Sequence, residues 1–207
     1  GLKMFRFKEY FTVPGAVGNT TSKLAKKGIP NVALSDGPAG LRLMKESVIN
    51  GKKVKPLDSL FELFEYLPKF INKFLKGNPK KGKMLYQYAT AFPVCNAMAQ
   101  TFNETLLEEE GYAISKEMKE YGVTFLLAPG INIKRFVLCG RNFEYFSEDP
   151  FLAGILAASY VNGLEENGVG TCVKHYACNS QEHGRTINSS EISLRALNEI
   201  YLRVFKY

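Results

Sequence analysis

Residues 123–128, VTFLLA, form a near-continuous apolar run that stops at Pro129-Gly130. A short run without polar alternation suits a strand covered on both faces, the usual situation in a parallel sheet. Three further short runs fit the same pattern: 31–35 (NVALS, closed by Asp36-Gly37-Pro38), 88–92 (YATAF, closed by Pro93) and 169–173 (VGTCV). Longer stretches with helical character separate or follow them. Residues 103–121 open on Asn103, a suitable N-cap, with acidic residues early in the run. Residues 150–167 place alanines and leucines on one face, and residues 190–206 read as a final helix. Strand and helix therefore alternate four times, which predicts an α/β fold with a parallel sheet and crossover helices. Periodicity alone fits an open sheet and part of a barrel equally well. In either, ligands gather at the carboxyl ends of the strands.

The first helical stretch of this alternation lies within residues 45–88. They contain SLFELFEYLPKFINKFL, an amphipathic helical pattern broken at Pro68, and then KGNPKKGK, a basic loop with glycine and proline. The segment reads as an insertion between two core units. The chain of 207 residues carries a net charge of +7, with 45% hydrophobic and 23% charged residues, a composition that argues against a largely disordered chain. The charge raises the question of an anionic partner, but no nucleic-acid-binding motif accompanies it, and neither a nucleic-acid nor a membrane partner is expected. Four cysteines, Cys95, Cys139, Cys172 and Cys178, lie in or beside apolar segments with no Cys-x-x-Cys pair. Reduced, buried thiols are the expectation, which fits a cytoplasmic protein. The first residues, GLKMFRFKEYFTVPG, contain no uninterrupted apolar stretch of the signal-peptide kind. No stretch approaches the ~20 apolar residues of a membrane span.

Three motifs carry chemistry. In SDGPAGLR (35–42) an aspartate at a strand end can accept hydrogen bonds from two neighbouring hydroxyls of a ligand; Arg42 could hold Asp36 in place, or the stretch could be a plain turn with a surface ion pair. In LCGRNFEYFSEDP (138–150), Arg141, Glu144, Glu148 and Asp149 crowd an aromatic-rich loop. That suits a sugar ring, and it equally suits an internal salt-bridge network. VKHYACNSQEHGR (173–185) holds both histidines of the chain and two of its cysteines. A zinc site needs three or four ligands at matched spacing, and His175 and His183 have no such partners in the pattern. A Cys/His nucleophile needs contact between thiol and base, which nothing in the sequence supports. The remaining reading is a cluster of mostly donor groups, Lys174, His175 and Arg185, suited to a polyhydroxylated ligand.

With these motifs in order, the chain resembles the N-terminal barrel domain of family 3 glycoside hydrolases. The matching stretches are SDGPAGLR, AFP, LLAPGINI, CGRNFEYFSEDP, VKHYACNSQEHGR and LRALNEIYLRVF, covering about residues 10–206 apart from 45–88. The inserted stretch is similar to a branch of bacterial β-glucosidase-like members with permuted domain order. The resemblance implies a (β/α)8 TIM-barrel-like fold, of which residues 1–207 supply about the first half. It implies a retaining hydrolase that removes a terminal β-linked sugar without a cofactor or metal. By the family pattern Asp36, Arg42, Arg141, Lys174, His175 and Arg185 hold the terminal sugar. The loop after Lys174-His175 lacks the glycine-rich His-Asp arrangement of the N-acetylglucosaminidase branch, which favours a glucosidase or xylosidase. The family's nucleophile lies in a Ser-Asp-Trp-like motif, and this chain has no tryptophan. No catalytic residue is therefore assigned within it. The expected partners are a β-linked glucoside or related sugar, the remainder of the barrel and a second domain. A non-catalytic carbohydrate-binding fragment is the competing reading.

Overall fold

The computed structural model describes residues 13–20, 22–51, 53–57 and 76–207. Among them lie strands β1 (Gly18–Asn19), β2 (Ala33–Asp36), β3 (Glu46–Asn50), β4 (Lys53–Pro56), β5 (Lys83–Tyr86), β6 (Phe125–Leu127) and β7 (Gly170–Thr171). The principal helices are α1 (Cys95–Ala99), α2 (Glu104–Tyr121) and α3 (Pro150–Glu165). One sheet runs in the order β1-β2-β6-β7, and a second in the order β4-β3-β5. In the first, β2 pairs parallel with β6, placing Asp36 opposite Leu127. β6 pairs parallel with β7, placing Leu126 opposite Thr171. The short β1 lies antiparallel on the outer edge of β2. The fold is mixed α/β, with the expected parallel pairs at three of the four apolar runs.

The fourth run, Tyr88–Phe92, is not a strand. β2 and β6 are direct neighbours and leave no place between them. The polar backbone groups of this run find other partners. The Phe92 amide donates to the carbonyl of Ala39 at 3.0 Å, the Thr90 amide to the Glu117 carboxylate at 3.1 Å, and the Tyr121 hydroxyl donates to the Tyr88 carbonyl at 2.7 Å. The run thus crosses beneath the Asp36 turn and braces it. Gly40 permits that crossing, since a Cβ there would lie 2.3 Å from the Thr90 carbonyl oxygen.

The helix boundaries follow local chemistry. The Asn103 side chain accepts the Leu106 amide at 3.1 Å, capping α2, and Gly122 ends it in the left-handed region at φ +73°. Asp149 caps α3 through the Phe151 amide at 2.8 Å, with Pro150 in the first turn. The expected final helix is irregular. Ser193 caps a single α-turn at Leu194–Ala196, which widens to a π-turn at Leu197–Tyr201 and tightens to a 3-10 turn at Arg203–Lys206. This packs its Val204 into the core and lays the Tyr207 ring over Gly154.

In the segment 45–88, β3 and β4 make a hairpin with Asn50 paired to Lys53 and Gly51 at φ +59°. β5 adds to the other side of β3. The KGNPKKGK stretch is therefore partly strand. The amphipathic run 59–75 lies outside the described residues.

The core forms where α2 and α3 pack on β6. The buried positions of α2 are Leu107, Glu110, Gly111, Ile114, Ser115 and Met118, one stripe at helical spacing. It meets α3 at two glycines. A Cβ on Gly111 would lie 2.4 Å from the Tyr160 carbonyl oxygen, and one on Gly163 would lie 2.0 Å from that of Glu108. Glu110 sits in this interface with one carboxylate oxygen lacking a partner, and burial pushes its carboxyl up to about 7. Cys95 is buried at the neighbouring α1, its thiol pushed up to about 12 by burial and then by the Glu110 charge. The expectation of four buried thiols fails in part. All four cysteines are free, Cys95 and Cys139 are buried, Cys178 is half-buried, and Cys172 is exposed where β7 ends at the sheet edge.

Two outcomes are expected. Gly163→Ala forces the helices apart and costs about 1–3 kcal/mol of stability, read as a lower denaturant midpoint. Glu110 titrates higher in the folded chain than its ordinary 4.5. Its stabilising contribution is complete below that value and is lost as pH rises through about 7. Glu110→Gln removes this loss, so the variant gains on the parent between pH 5 and pH 8 by an amount on the order of 2 kcal/mol. Parallel denaturation curves at the two pH values measure the gain.

Candidate sugar-binding site

The parallel register brings the ends of β2, β6 and β7 to one level. Asp36 is the last residue of β2. Past β7, Lys174 makes a bridge to Gly130 just beyond β6, and Gly130 also bridges Tyr145. The Ile131 amide donates to the Lys174 carbonyl at 2.7 Å, and the Lys174 amide to the Pro129 carbonyl at 3.0 Å. This ladder aims Lys174 across the sheet, where its Nζ meets Asp36 Oδ1 at 2.5 Å. The pair is part-buried, with Lys174 at 16% and Asp36 at 31% side-chain exposure. It is reachable from solvent yet drier than a surface ion pair.

Around Asp36 the chain turns sharply. Gly37 adopts φ +140°, and a Cβ there would overlap the Gly40 carbonyl at 1.7 Å, so only glycine fits. The Arg42 amide donates to the Asp36 carbonyl at 2.9 Å and closes the turn. The Arg42 side chain is exposed and does not hold the Asp36 carboxylate, as the sequence had suggested. Lys174 does, because the register delivers it to the strand end, while the turn directs Arg42 outward.

His175 anchors a second cluster. Arg141 Nη2 lies 2.7 Å from its Nε2. A guanidinium only donates, so Nε2 accepts and the imidazole is neutral with its proton on Nδ1. Asn132 Oδ1 lies 3.1 Å from that nitrogen and also accepts the His175 amide at 2.8 Å. Asn132 Nδ2 donates to the His175 carbonyl at 2.9 Å. The Tyr145 hydroxyl is 3.3 Å from Nδ1. Burial, then the positive charges of Arg141 and Lys174, push His175 down from 6.5 to about 4. Arg141 itself is ion-paired through Nε to Glu144. From Tyr145 the network continues through Asn179 to Glu182 at 3.1 and 2.7 Å, and Glu182 holds Arg185 at 3.2 Å.

Of the six residues expected at the site, Asp36 and Lys174 form one contact, and Arg141 and His175 another. Arg185 is reached only through Glu182. It lines a cavity of about 500 Å³ with Phe136, Asn179, Gln181 and Asn188. Arg42 contributes backbone alone. The sequence reading gave no site role to Asn132, Tyr145 or Asn179. Asn132, a polar residue just past a buried strand, was the one with a visible signal. Among the described residues, no three His, Cys, Asp or Glu side chains converge as metal ligands.

The Arg141 contact yields a pH prediction. The folded pKa of His175 lies below its ordinary 6.5, so its contribution to stability is present above 6.5 and is lost as pH falls through about 4. Arg141→Met removes a positive neighbour and raises the His175 midpoint. Imidazole nitrogen chemical shifts followed from pH 7.5 to 3.5 measure this, and an unchanged midpoint would contradict the assigned contact.

The chain is similar to known glycoside hydrolases. A profile described as the glycosyl hydrolase family 3 N terminal domain matches residues 47–207. Thermostable beta-glucosidase B of Acetivibrio thermocellus is 37% identical over 186 residues, 90% of this chain and 21% of that protein. An exo-alpha-(1->6)-L-arabinopyranosidase of Bifidobacterium longum is 37% identical over 181 residues, 87% of this chain and 20% of that protein. The structure of beta-glucosidase 3B from Thermotoga neapolitana in complex with alpha-D-glucose aligns with a TM-score of 0.73 at 42% identity, covering 95% of this chain and 23% of that one. The chain spans about a fifth of the length of these relatives. With most of its residues matched by the family profile, the chain belongs to glycosyl hydrolase family 3, of which it carries N-terminal domain sequence.

Proposed function

We propose that this chain supplies the sugar-holding half of the active site of a retaining β-glucosidase-like hydrolase that removes a terminal β-linked sugar. The observation that carries the reading is the Asp36–Lys174 pair at the ends of parallel strands. A carboxylate and an ammonium side by side offer an acceptor and donors to adjacent hydroxyls of a pyranose. Asp36 accepts two hydroxyl hydrogens, and Lys174 donates to a hydroxyl oxygen. Arg141 and the neutral His175 line the same level of the sheet and hold the loop that closes the subsite, with Arg42 and Arg185 at its rim. No cofactor or metal enters the reaction.

Retaining hydrolysis needs two carboxyl groups ~5–5.5 Å apart. Each carboxylate of the cluster already faces a cation: Asp36 with Lys174, Glu144 with Arg141, Glu182 with Arg185. That arrangement suits binding and bracing. In this reading the nucleophile and the acid/base come from the remainder of a (β/α)8 barrel and from a second domain. β2, β6 and β7 with their helices are then part of the barrel, residues 45–88 an insertion into it, and the location cytoplasmic. The same ion pairing favours the second reading, a chain that binds carbohydrate without cleaving it.

The test uses the 207-residue chain. Titration with D-glucose, followed by amide shifts, moves the signals of Lys174, His175 and the Asp36 turn, and Asp36→Asn weakens binding at least tenfold. No hydrolysis of a nitrophenyl β-glucoside accompanies it. Turnover abolished by Asp36→Ala would overturn the division of labour, and glucose binding unaffected by Asp36→Asn would overturn the site.

A further inference from the structure

Ten lysines against four acidic residues give residues 45–88 a net charge of +6, and the rest of the chain carries only +1. The segment contains no arginine. Among the described residues, Lys53 and Lys55 lie on one face of the β4-β3-β5 sheet, the 76–82 loop with three more lysines lies against the same face, and Lys83 lies on the other. Side chains alternate along a strand, so Glu46, Val48 and Asn50 share a face with their cross-strand partners Tyr86, Met84, Lys55 and Lys53. Val48 is covered on that face by the 76–82 loop, since Cβ atoms on Gly77 and Gly82 would lie 2.8 and 2.6 Å from its methyl groups. That loop carries Lys76, Lys80 and Lys81, all exposed. At the end of the face, Tyr86 and Tyr88 stack with centroids 6.0 Å apart at 19° and remain 53% and 59% exposed. The Tyr88 hydroxyl donates to Glu46 Oε1 at 2.8 Å, and the Tyr88 carbonyl is held by Tyr121. The rings are thus fixed before any ligand arrives, which lowers the ordering cost of using them.

We propose that this face is a docking surface for an acidic polysaccharide. Lysines spread along the face supply the long-range attraction for an anionic polymer. The fixed tyrosines offer aromatic surface to the C–H faces of pyranose rings. Glu46, opposite Tyr86 on the same face, keeps an acceptor beside the rings for sugar hydroxyls. The sheet is also tied at both ends to the Asp36 turn. β3 begins four residues after Arg42, and the chain leaving β5 returns to bond Ala39 through Phe92. The chain thus links this face to the turn that carries Asp36, the partner of Lys174. The choice of a glycan rests on the sugar-binding reading of that pair; the charge argument does not.

The experiment is affinity electrophoresis of the 207-residue chain in carboxymethyl cellulose, in neutral hydroxyethyl cellulose and, as a competitor, with an oligothymidylate. Retardation is expected in the carboxymethyl polymer and is expected to weaken steadily with added salt. Lys53→Gln/Lys80→Gln/Lys81→Gln weakens it at least tenfold, and Tyr86→Ala severalfold. Circular dichroism confirms that each variant stays folded, and the salt dependence of the unaltered chain stands even where a variant does not. Equal retardation in the neutral polymer, salt-independent binding, or an oligothymidylate that binds more tightly would each overturn the proposal. Asp36→Asn separates the two readings: it weakens glucose binding at least tenfold but leaves retardation intact. Loss of both would place the polymer at Asp36 and not on the sheet.

Discussion

The parallel register of β2, β6 and β7 is the constraint on which the site depends. Asp36 and Lys174 are 138 residues apart, and no local preference could bring them together. The ladder does so by fixing the height at which each strand ends. A one-residue slip would turn Asp36 to the opposite face of the sheet. The helices serve that register. α2 and α3 cross at Gly111 and Gly163 with almost no side-chain spacer, so they sit close enough to bury Leu126, Ala128 and Ile131 around β6 and the turn beyond it. Close packing behind the sheet is what lets its open end keep partly exposed charges.

Those charges are arranged in two ways. Asp36 and Lys174 keep partial access to solvent, and a ligand can exchange for part of their mutual contact. The His175 cluster is internally satisfied. Asn132 grips the histidine by backbone and ring, Arg141 fixes the tautomer, and Glu144 balances Arg141. A half-buried imidazole beside two cations stays neutral, so it neither adds charge nor repels Lys174. The first pair is suited to contact, the second to position. Treating all six motif residues as equal ligands would miss this difference.

Much of the frame was legible in the sequence. Residues 31–35, 123–128 and 169–173 showed themselves as strands because both faces of a parallel strand are covered, and apolar continuity records that. The cap at Asn103 is local chemistry and equally readable. Tyr88–Phe92 misled because apolar composition says nothing about whether a ladder partner is available. β2 and β6 pair directly, and this run satisfies its backbone on a turn and two side chains instead. The hairpin at Asn50-Gly51 carried a usable turn signal that the longer amphipathic pattern beyond it obscured. Arg42 was misjudged because a pattern names residue types but not side-chain directions. Asn132 stood out only as a polar residue past a buried strand, and the role of Tyr145 exists only once the turn after β6 lies against the residues following β7.

The distribution of charge separates two tasks within one chain. Outside 45–88 the chain is nearly neutral, and the ions gathered at the end of its core are matched pair by pair: Asp36 with Lys174, Arg141 with Glu144, Glu182 with Arg185. Like charges clustered in that core would repel at short range in a medium that screens them poorly. The three-stranded sheet has no such restriction, because its lysines stand in water where repulsion is weak. Excess charge can therefore collect there at small cost in stability. The sheet joins the Asp36 turn through the chain that enters β3 four residues past Arg42 and through the Phe92–Ala39 hydrogen bond, so its charge collects on a unit of its own, away from the matched pairs.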